Sequence, residues 1–198
     1  IFGHLRPGER LDPDGLAKNY GTSITPVRDA LQMLGHEGLV TIKPRSGNFV
    51  TRITLKQLND MLELREVLEV ASVERAVNRI TDEQLDELAG VHAGYSGRDD
   101  ESRDRYAREN RRFHMLLAQA SGNDELADMV GGVHDRLVQF MVACGADAGM
   151  ERRHAGLTEA LRTRDVEIAR QALLDELDET RRMTLEHVIQ EEGAHWRF

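Results

Sequence analysis

The sequence predicts a mostly α-helical protein, with a winged helix-turn-helix over residues 1–53 and an all-α bundle of six to seven helices over residues 54–198. Two helix patterns followed by two short β-prone runs predict the first segment. Long amphipathic patterns with no strand pattern among them predict the second. Aromatic residues make up 5% of the chain and charged residues 31%, with only four prolines, which also favours a helix-rich protein.

The first segment begins with two helix signals. Asp12 is placed to cap a helix that has Pro13 in its first turn and ends at Gly21. Ser23 is placed to cap the next helix, whose apolar stripe consists of Val27, Ala30, Leu31 and Leu34. The opening residues, IFGHLRPGER, are predicted to be the end of a further helix, so we expect the natural protein to begin upstream.

A turn signature completes the small segment. The β-prone runs LVTIK and NFVTR are joined by PRSG, which is a typical turn sequence. The intervals of four and six between Ala17, Gly21 and Val27 suit a tight corner between two helices, with a small residue, a turn glycine and an apolar anchor. Together these features predict a winged helix-turn-helix.

The second segment is divided by caps and glycine-bearing breaks. Thr54 is placed to cap a long amphipathic helix, and Thr81 and Gln84 form a predicted capping box for the next one. Further helix boundaries are predicted near Gly94–Gly97, Gly122–Asn123, Gly145–Gly149 and Thr163–Asp165.

Charge and cysteine content limit the function classes. The net charge is −9, but residues 1–53 carry seven basic and five acidic side chains, so the remainder holds −11. A small basic segment on a large acidic one indicates two tasks. The single Cys144 cannot form an internal disulfide, which favours the reducing cytosol. No apolar run approaches the roughly 20 residues that would span a bilayer, so no membrane partner is expected.

Motifs along nearly the whole chain resemble one family of regulators. LRPGERL, LAKNYGTSITPVRDALQMLGHEGLV and PRSGNFV resemble the winged-helix module of GntR-family transcriptional regulators. ELREVLE, FHMLLAQASGN and RRHAGLTEALRTRD resemble the helical FCD domain of the FadR-like branch. The resemblance implies a homodimeric, ligand-responsive regulator of double-stranded DNA operators, often a repressor, with an effector in the helical domain.

The resemblance also implies which residues contact DNA. Arg28 matches the arginine of the family's PVR motif, and an arginine near the start of a groove-inserted helix can bind guanine through two hydrogen bonds. The alternative is a solvated surface arginine. The other predicted contacts are Ser23 and Thr25 on the same helix, and Arg45 and Gly47 in the wing.

Two positions depart from the pattern of the family. Ile24 stands where the family usually has arginine, and Asp14 occupies a position that is often basic. Both changes remove positive charge, so we expect the operator or its affinity to differ from the norm of the family.

Four positions in the bundle resemble the family's metal site of Asp, His, His and His. This chain has Asn110, His114, His154 and Glu176 there, so the carboxylate has in effect moved from the first position to the last. Two imidazoles, a carboxylate and an amide oxygen suit zinc, manganese or nickel. The alternative is a metal-free polar core in which a histidine hydrogen-bonds Glu176. The remaining histidines lack convergent spacing and are expected to be ordinary surface or packing residues: His4, His36, His92, His134, His187 and His195.

Arg65 lies on the apolar face of its predicted helix. The family's LRE…LE helix borders the effector cavity, so the resemblance implies that Arg65 binds the carboxylate of a small organic acid beside the metal. The alternative is an ion pair with Glu69, four residues along the same face.

The sequence therefore predicts a dimeric, ligand-responsive transcriptional regulator that is not an enzyme. Two competitors stay open: a metal-dependent enzyme that uses the histidine and glutamate cluster, and a sensor for which the metal itself is the signal. No clear nucleophile or water-activating base supports the enzyme.

Overall fold

The structure is a computed structural model that describes residues 5, 7–91, 100–144 and 148–192. The chain divides into two compact units, residues 1–57 and 58–198. The predicted fold class is confirmed: a helix-turn-helix with a small antiparallel sheet is followed by a helical bundle. No helix of the described residues is long and apolar enough to cross a bilayer. Residues 1–4 and 6 of the opening segment lie outside the described ranges, and the described residues 7–11 form a turn and a short strand, so the prediction of a helix end is wrong for them.

The first unit contains two helices and three short strands. Helices α1 and α2 form the two-helix corner, and β3 lies between β1 and β2 in an antiparallel sheet. Strand β1 was not anticipated, because two residues are too short to show a pattern and pair with β3 only in the folded chain. The bounds are β1 Arg10–Leu11, α1 Pro13–Asn19, α2 Ile24–His36, β2 Val40–Lys43 and β3 Gly47–Val50.

Of the two helix N-caps predicted in this unit, the one at Asp12 forms its hydrogen bonds and the one at Ser23 does not. The Asp12 side chain accepts hydrogen bonds from the backbone N–H groups of Asp14 and Gly15, as expected for an N-cap. Ser23 occupies the N-cap position of α2, but its side chain makes no capping hydrogen bond, so that part of the prediction is wrong. Gly21 has a φ of 62°, which is the left-handed conformation that the turn requires.

The described part of the second unit contains six helices, in agreement with the predicted six to seven. Thr81 and Gln84 form the expected capping box at the start of α4. At Thr54, which precedes α3, the side chain and backbone exchange hydrogen bonds with Gln57. The bounds are α3 Leu55–Ala76, α4 Asp82–Gly90, α5 Asp100–Ala120, α6 Asp124–Cys144, α7 Ala148–Arg162 and α8 Val166–Glu192.

The predicted breaks at Gly122–Asn123 and Thr163–Asp165 separate α5 from α6 and α7 from α8. The predicted break at Gly94–Gly97 lies outside the described residues, as do residues 145–147 of the next. In the core, α5 packs on α6 and α7 packs on α8. The apolar core is built around Val73, Phe113, Leu117, Leu157, Leu161 and Leu173, each at most 1% exposed.

Candidate functional site

A cluster of charged and polar side chains is buried inside the bundle. Its members come from five helices, and each is at most 2% exposed. Helical spacing explains their convergence, because each one occupies a core-facing position in an otherwise apolar stripe. The members are Arg65 and Glu69 on α3, His114 on α5, His134 on α6, His154 on α7 and Glu176 on α8.

Glu176 lies at the centre of one half of the cluster. Its Oε1 atom is 3.2 Å from Nε2 of His114 and 3.3 Å from Nε2 of His154. Within the described part of the chain, neither carboxylate oxygen of Glu176 has a well-formed hydrogen bond. A buried carboxylate in this condition is costly unless another group compensates it.

The distances around Glu176 suit a shared metal ion. Ligand atoms bound to one tetrahedral ion at about 2.0–2.2 Å are roughly 3.3–3.6 Å from each other. The separations of 3.2 and 3.3 Å are close to this range, and the three ligand atoms lie within 4.8 Å of one another. The residues present therefore fit a divalent ion with two imidazole ligands and one carboxylate ligand.

Glu69, His114 and His134 form a second group with ligand atoms within 4.8 Å, but its distances are different. Oε1 of Glu69 is 2.8 Å from Nε2 of His134, and Oε2 is 2.6 Å from Nδ1 of His114. These are hydrogen-bond lengths and are short for two ligands of one ion. The His134 contact has hydrogen-bond geometry, whereas the His114 contact is close but obliquely directed.

Arg65 connects the two halves of the cluster. Its Nε atom donates to Oε1 of Glu69 over 2.6 Å, and its Nη2 atom donates to Nε2 of His114 over 2.9 Å. Nη2 is also 3.6 Å from Oε1 of Glu176, too far for a hydrogen bond. The Nη1 atom is buried without a hydrogen-bond partner among the described residues. The ion pair expected as the alternative for Arg65 is thus present, and one donor is still unused.

Both carboxylates are held in the ionised state. Burial raises the pKa of Glu69, but the charges of Arg65 and His114 outweigh burial and hold that pKa well below its usual value. Burial likewise raises the pKa of Glu176, and His154 and His114 bring it well below the usual value. The cluster therefore contains two negative charges and one permanent positive charge at buried positions.

The surroundings shift the pKa values of two buried histidines in opposite directions. Burial lowers the pKa of His114, but the carboxylates of Glu69 and Glu176 outweigh it, so the pKa is raised. Burial and the charge of Arg65 lower the pKa of His134 to about 4. A protonated His114 could not accept a hydrogen bond from Arg65, so the 2.9 Å contact describes its neutral ring.

The predicted ligands are brought together to different degrees. His114, His154 and Glu176 converge, while Asn110 is buried one helical turn before His114 on α5 and its role as a ligand stays a prediction. Phe113 stacks on the His154 ring, with centroids 3.8 Å apart and planes 4° from parallel, which restrains the orientation of that ring.

Sequence reasoning missed His134 and gave Glu69 only a pairing role. His134 was expected to be an ordinary surface or packing residue, but it is 1% exposed and hydrogen-bonds Glu69. Its position between Val130 and Leu137 on one face of α6 was an available signal, because a histidine in an apolar stripe needs a polar partner.

The predicted DNA contacts lie on the first unit. Ser23, Thr25 and Arg28 are exposed at the start of α2. In the wing, Arg45 lies in the turn between β2 and β3, and Gly47 is the first residue of β3. Arg45 is exposed with a φ of 64°, an uncommon conformation for a residue with a side chain. The arrangement leaves these polar groups free of roles in the core and available to a partner.

Two family descriptions match this chain in the order of its units. Residues 1–50 match the gntR family of bacterial regulatory proteins, and residues 60–179 match the FCD domain. The second match alone covers more than half of the chain. The chain belongs to the GntR family, in its FCD branch.

Proteins of similar sequence and structure agree with this family assignment. This GntR-family regulator is 28% identical to the uncharacterized HTH-type transcriptional regulator YdhC of Bacillus subtilis, over 96% of this chain and 87% of that one. It is 25% identical to the HTH-type transcriptional repressor RspR of Escherichia coli, over 97% and 86% of the two chains. The solved structure of Escherichia coli McbR/YncC has a TM-score of 0.77 at 25% identity, over 93% and 91%.

Proposed function

We propose that this transcriptional regulator binds a two-fold operator as a homodimer, as a repressor, and that a divalent metal and a small organic acid in its helical unit control that binding. The observation that carries the proposal is the position of Glu176, whose Oε1 atom is 3.2 and 3.3 Å from two imidazole nitrogens without a well-formed hydrogen bond. A metal ion would satisfy all three groups at once. Zinc, manganese and nickel each suit this ligand set.

His114, His154 and Glu176 would hold the ion, with Asn110 as a fourth ligand. A bound divalent ion supplies positive charge and an anchoring point for an anionic ligand. In the structure, the lone pair of His114 Nε2 that an ion would use accepts a hydrogen bond from Arg65 Nη2. An ion and this contact exclude each other, so the Arg65 head must move slightly when an ion is held.

Charge balance favours a monoanionic effector. With neutral histidines, Glu69, Glu176 and Arg65 together carry one negative charge, and a divalent ion would make the total one positive charge. One carboxylate would neutralise this total. Arg65 has a buried Nη1 donor without a partner among the described residues, which suits the second oxygen of such a carboxylate.

DNA binding is assigned to α2 and the wing. Arg28 would reach a base edge in the major groove, and Ser23 and Thr25 would lie near the sugar-phosphate backbone of the DNA. Arg45 and Gly47 would approach the DNA backbone from the wing. A dimer would present two such helices to half-sites about one helical turn apart. The acid must prefer one dimer geometry, because a ligand with equal affinity for both shifts nothing.

The test is a titration of an operator that the protein itself selects from random DNA, with and without zinc and a panel of organic acids. The proposal expects specific binding that one acid weakens only when zinc is present, and expects Glu176→Gln to abolish that response. A response to zinc alone would indicate a metal sensor instead. Absence of specific binding under every condition would contradict the proposal.

A further inference from the structure

The Glu69 carboxylate is unusual in this cluster because it contacts three nitrogen donors and has no place in the candidate metal site. Arg65 Nε and His134 Nε2 both approach its Oε1 atom, at 2.6 and 2.8 Å. Its Oε2 atom is 2.6 Å from Nδ1 of His114. Glu69 is 2% exposed, so bulk solvent does not reach its carboxylate.

The hydrogen-bond roles of these groups can be assigned from chemistry alone. Arginine has donors and no acceptor, so Nε2 of His114 must accept the bond from Arg65 Nη2. A neutral imidazole with an accepting Nε2 carries its proton on Nδ1. That proton then faces Oε2 of Glu69, the nearest acceptor to it.

We propose that Glu69, held in place by Arg65 and His134, is a positioning residue that keeps the His114 proton on Nδ1 and thereby reserves Nε2 for the metal. This inference rests on the proposed metal site. Ligand histidines generally donate their other ring N–H to a carboxylate or carbonyl, which fixes both tautomer and orientation. The Nδ1 and Oε2 atoms are 2.6 Å apart, within the reach of a hydrogen bond.

His134 has a separate part in this arrangement. Its Nε2–H donates to Oε1, the oxygen other than the one nearest His114, and its ring lies 4.6 Å from the His114 ring at an angle of 28°. With Arg65 it fixes which oxygen of Glu69 faces Nδ1. The distances on Glu69 are those of hydrogen bonds, which distinguishes this role from that of a second metal ligand.

The substitution Glu69→Gln gives a specific test, because an amide has one acceptor and one donor. Arg65 Nε and His134 Nε2 both require the acceptor at the Oε1 position, so the amide nitrogen should take the Oε2 position. Nδ1 of His114 must then accept, and its proton moves to Nε2. The lone pair of Nε2 is then no longer available to the metal, so zinc affinity should fall by about 10- to 100-fold.

The experiment reads the tautomer and the metal affinity separately. Nitrogen-15 NMR of histidine-labelled, metal-free protein at about pH 9, where histidine is normally neutral, should show His114 protonated on Nδ1 in the wild type and on Nε2 in Glu69→Gln. The His114 signals are assigned by their loss in His114→Gln. Zinc affinity is measured by competition with a chromophoric chelator, with Glu63→Gln, at an exposed glutamate on the same helix, as the matched control.

The outcomes separate this inference from the function on which it rests. A wild type that binds no zinc refutes the metal site, and the NMR spectra still decide which nitrogen of His114 carries the proton beside Glu69. Wild-type His114 protonated on Nε2 overturns the inference, as does an unchanged zinc affinity in Glu69→Gln. Binding of two zinc ions per wild-type chain, one of them lost in His134→Phe, also overturns it because Glu69 would then be a ligand.

Discussion

Nη2 of Arg65 lies 2.9 Å from Nε2 of His114, so a guanidinium group occupies the nitrogen that a metal ion would bind. The same arginine neutralises Glu69 through a 2.6 Å ion pair. Arg65 therefore stabilises the metal-free cluster and competes with an ion for it. This double role makes the metal-free and metal-bound proteins respond differently to the loss of its charge.

Arg65→Met should lower the free energy of unfolding of the metal-free protein by about 3–5 kcal/mol, because it leaves a buried carboxylate without its cation. Zinc should stabilise the variant more than the wild type, since the ion supplies the missing positive charge. Denaturant unfolding with chelator and with zinc measures both effects. Arg75→Met, at an exposed site on the same helix, should change stability by less than about 0.5 kcal/mol. Greater stabilisation of the wild type by zinc would contradict the prediction.

Purified protein should carry divalent metal, and both His114→Ala and His154→Ala should reduce the bound amount strongly. Chelation should lower the melting temperature of the wild type, because an ion bound only to the folded state stabilises it. Elemental analysis and thermal melts measure this. His36→Ala, at an exposed position of α2, serves as the control and should keep the metal. A melt that is insensitive to chelator, without bound metal, would favour the metal-free polar core.

Calorimetry should detect binding of a monocarboxylate to the zinc-loaded protein and much weaker binding to Arg65→Lys. Lysine keeps the charge but lacks the planar pair of donors, so the loss measures bidentate recognition. His154→Ala should also lose binding, because it removes a metal ligand. An acid that binds both variants as it binds the wild type would exclude this site for the effector.

Arg28→Ala should weaken binding to the selected operator by about 1–3 kcal/mol, the range for a bidentate base contact. Arg28 is exposed, so the melting temperature should stay close to that of the wild type. Gel-shift titration at fixed salt concentration gives the affinity. Equal affinity of variant and wild type would show that Arg28 is a solvated surface residue.

The stability of the wild type should fall as the pH falls from 6.5 towards 4, in part because of His134. Its pKa is lowered to about 4 in the folded protein, so the unfolded chain binds more protons within this window. The loss attributable to His134 is on the order of 3 kcal/mol. His134→Gln keeps a donor for Glu69 but cannot titrate, so its stability should depend less on pH in this window.

The pKa shift of His114 changes stability with pH in the opposite sense, and His114 is present in both the wild type and His134→Gln. Its pKa is raised, so its contribution is fully present below about pH 6.5 and is lost as the pH rises through the folded value. The difference between wild type and His134→Gln removes this common part. Parallel stability curves for the two proteins between pH 4 and 6.5 would contradict the assignment to His134.

The sequence by itself determined the order of the elements and most of their ends. Local signals fix these features, because caps such as Asp12 and Thr81 satisfy backbone groups only a few residues away. The resemblance to the FCD domain implied His114, His154 and Glu176 as metal ligands, and these three residues do converge in the bundle. Strand β1 escaped notice, since its two residues acquire a strand identity only by pairing with β3.

The tertiary structure alone decided which atoms of the buried cluster meet. Spacing along α3 predicted the ion pair between Arg65 and Glu69. The contacts of these two residues with His114 and His134 join different helices, whose relative rotation and depth no local pattern encodes. The difference between contacts of 2.6–2.8 Å on Glu69 and 3.2–3.3 Å on Glu176 distinguishes a hydrogen-bonded carboxylate from a candidate metal ligand. Helix packing sets those few tenths of an ångström, because the close-packed core leaves each side chain a single place.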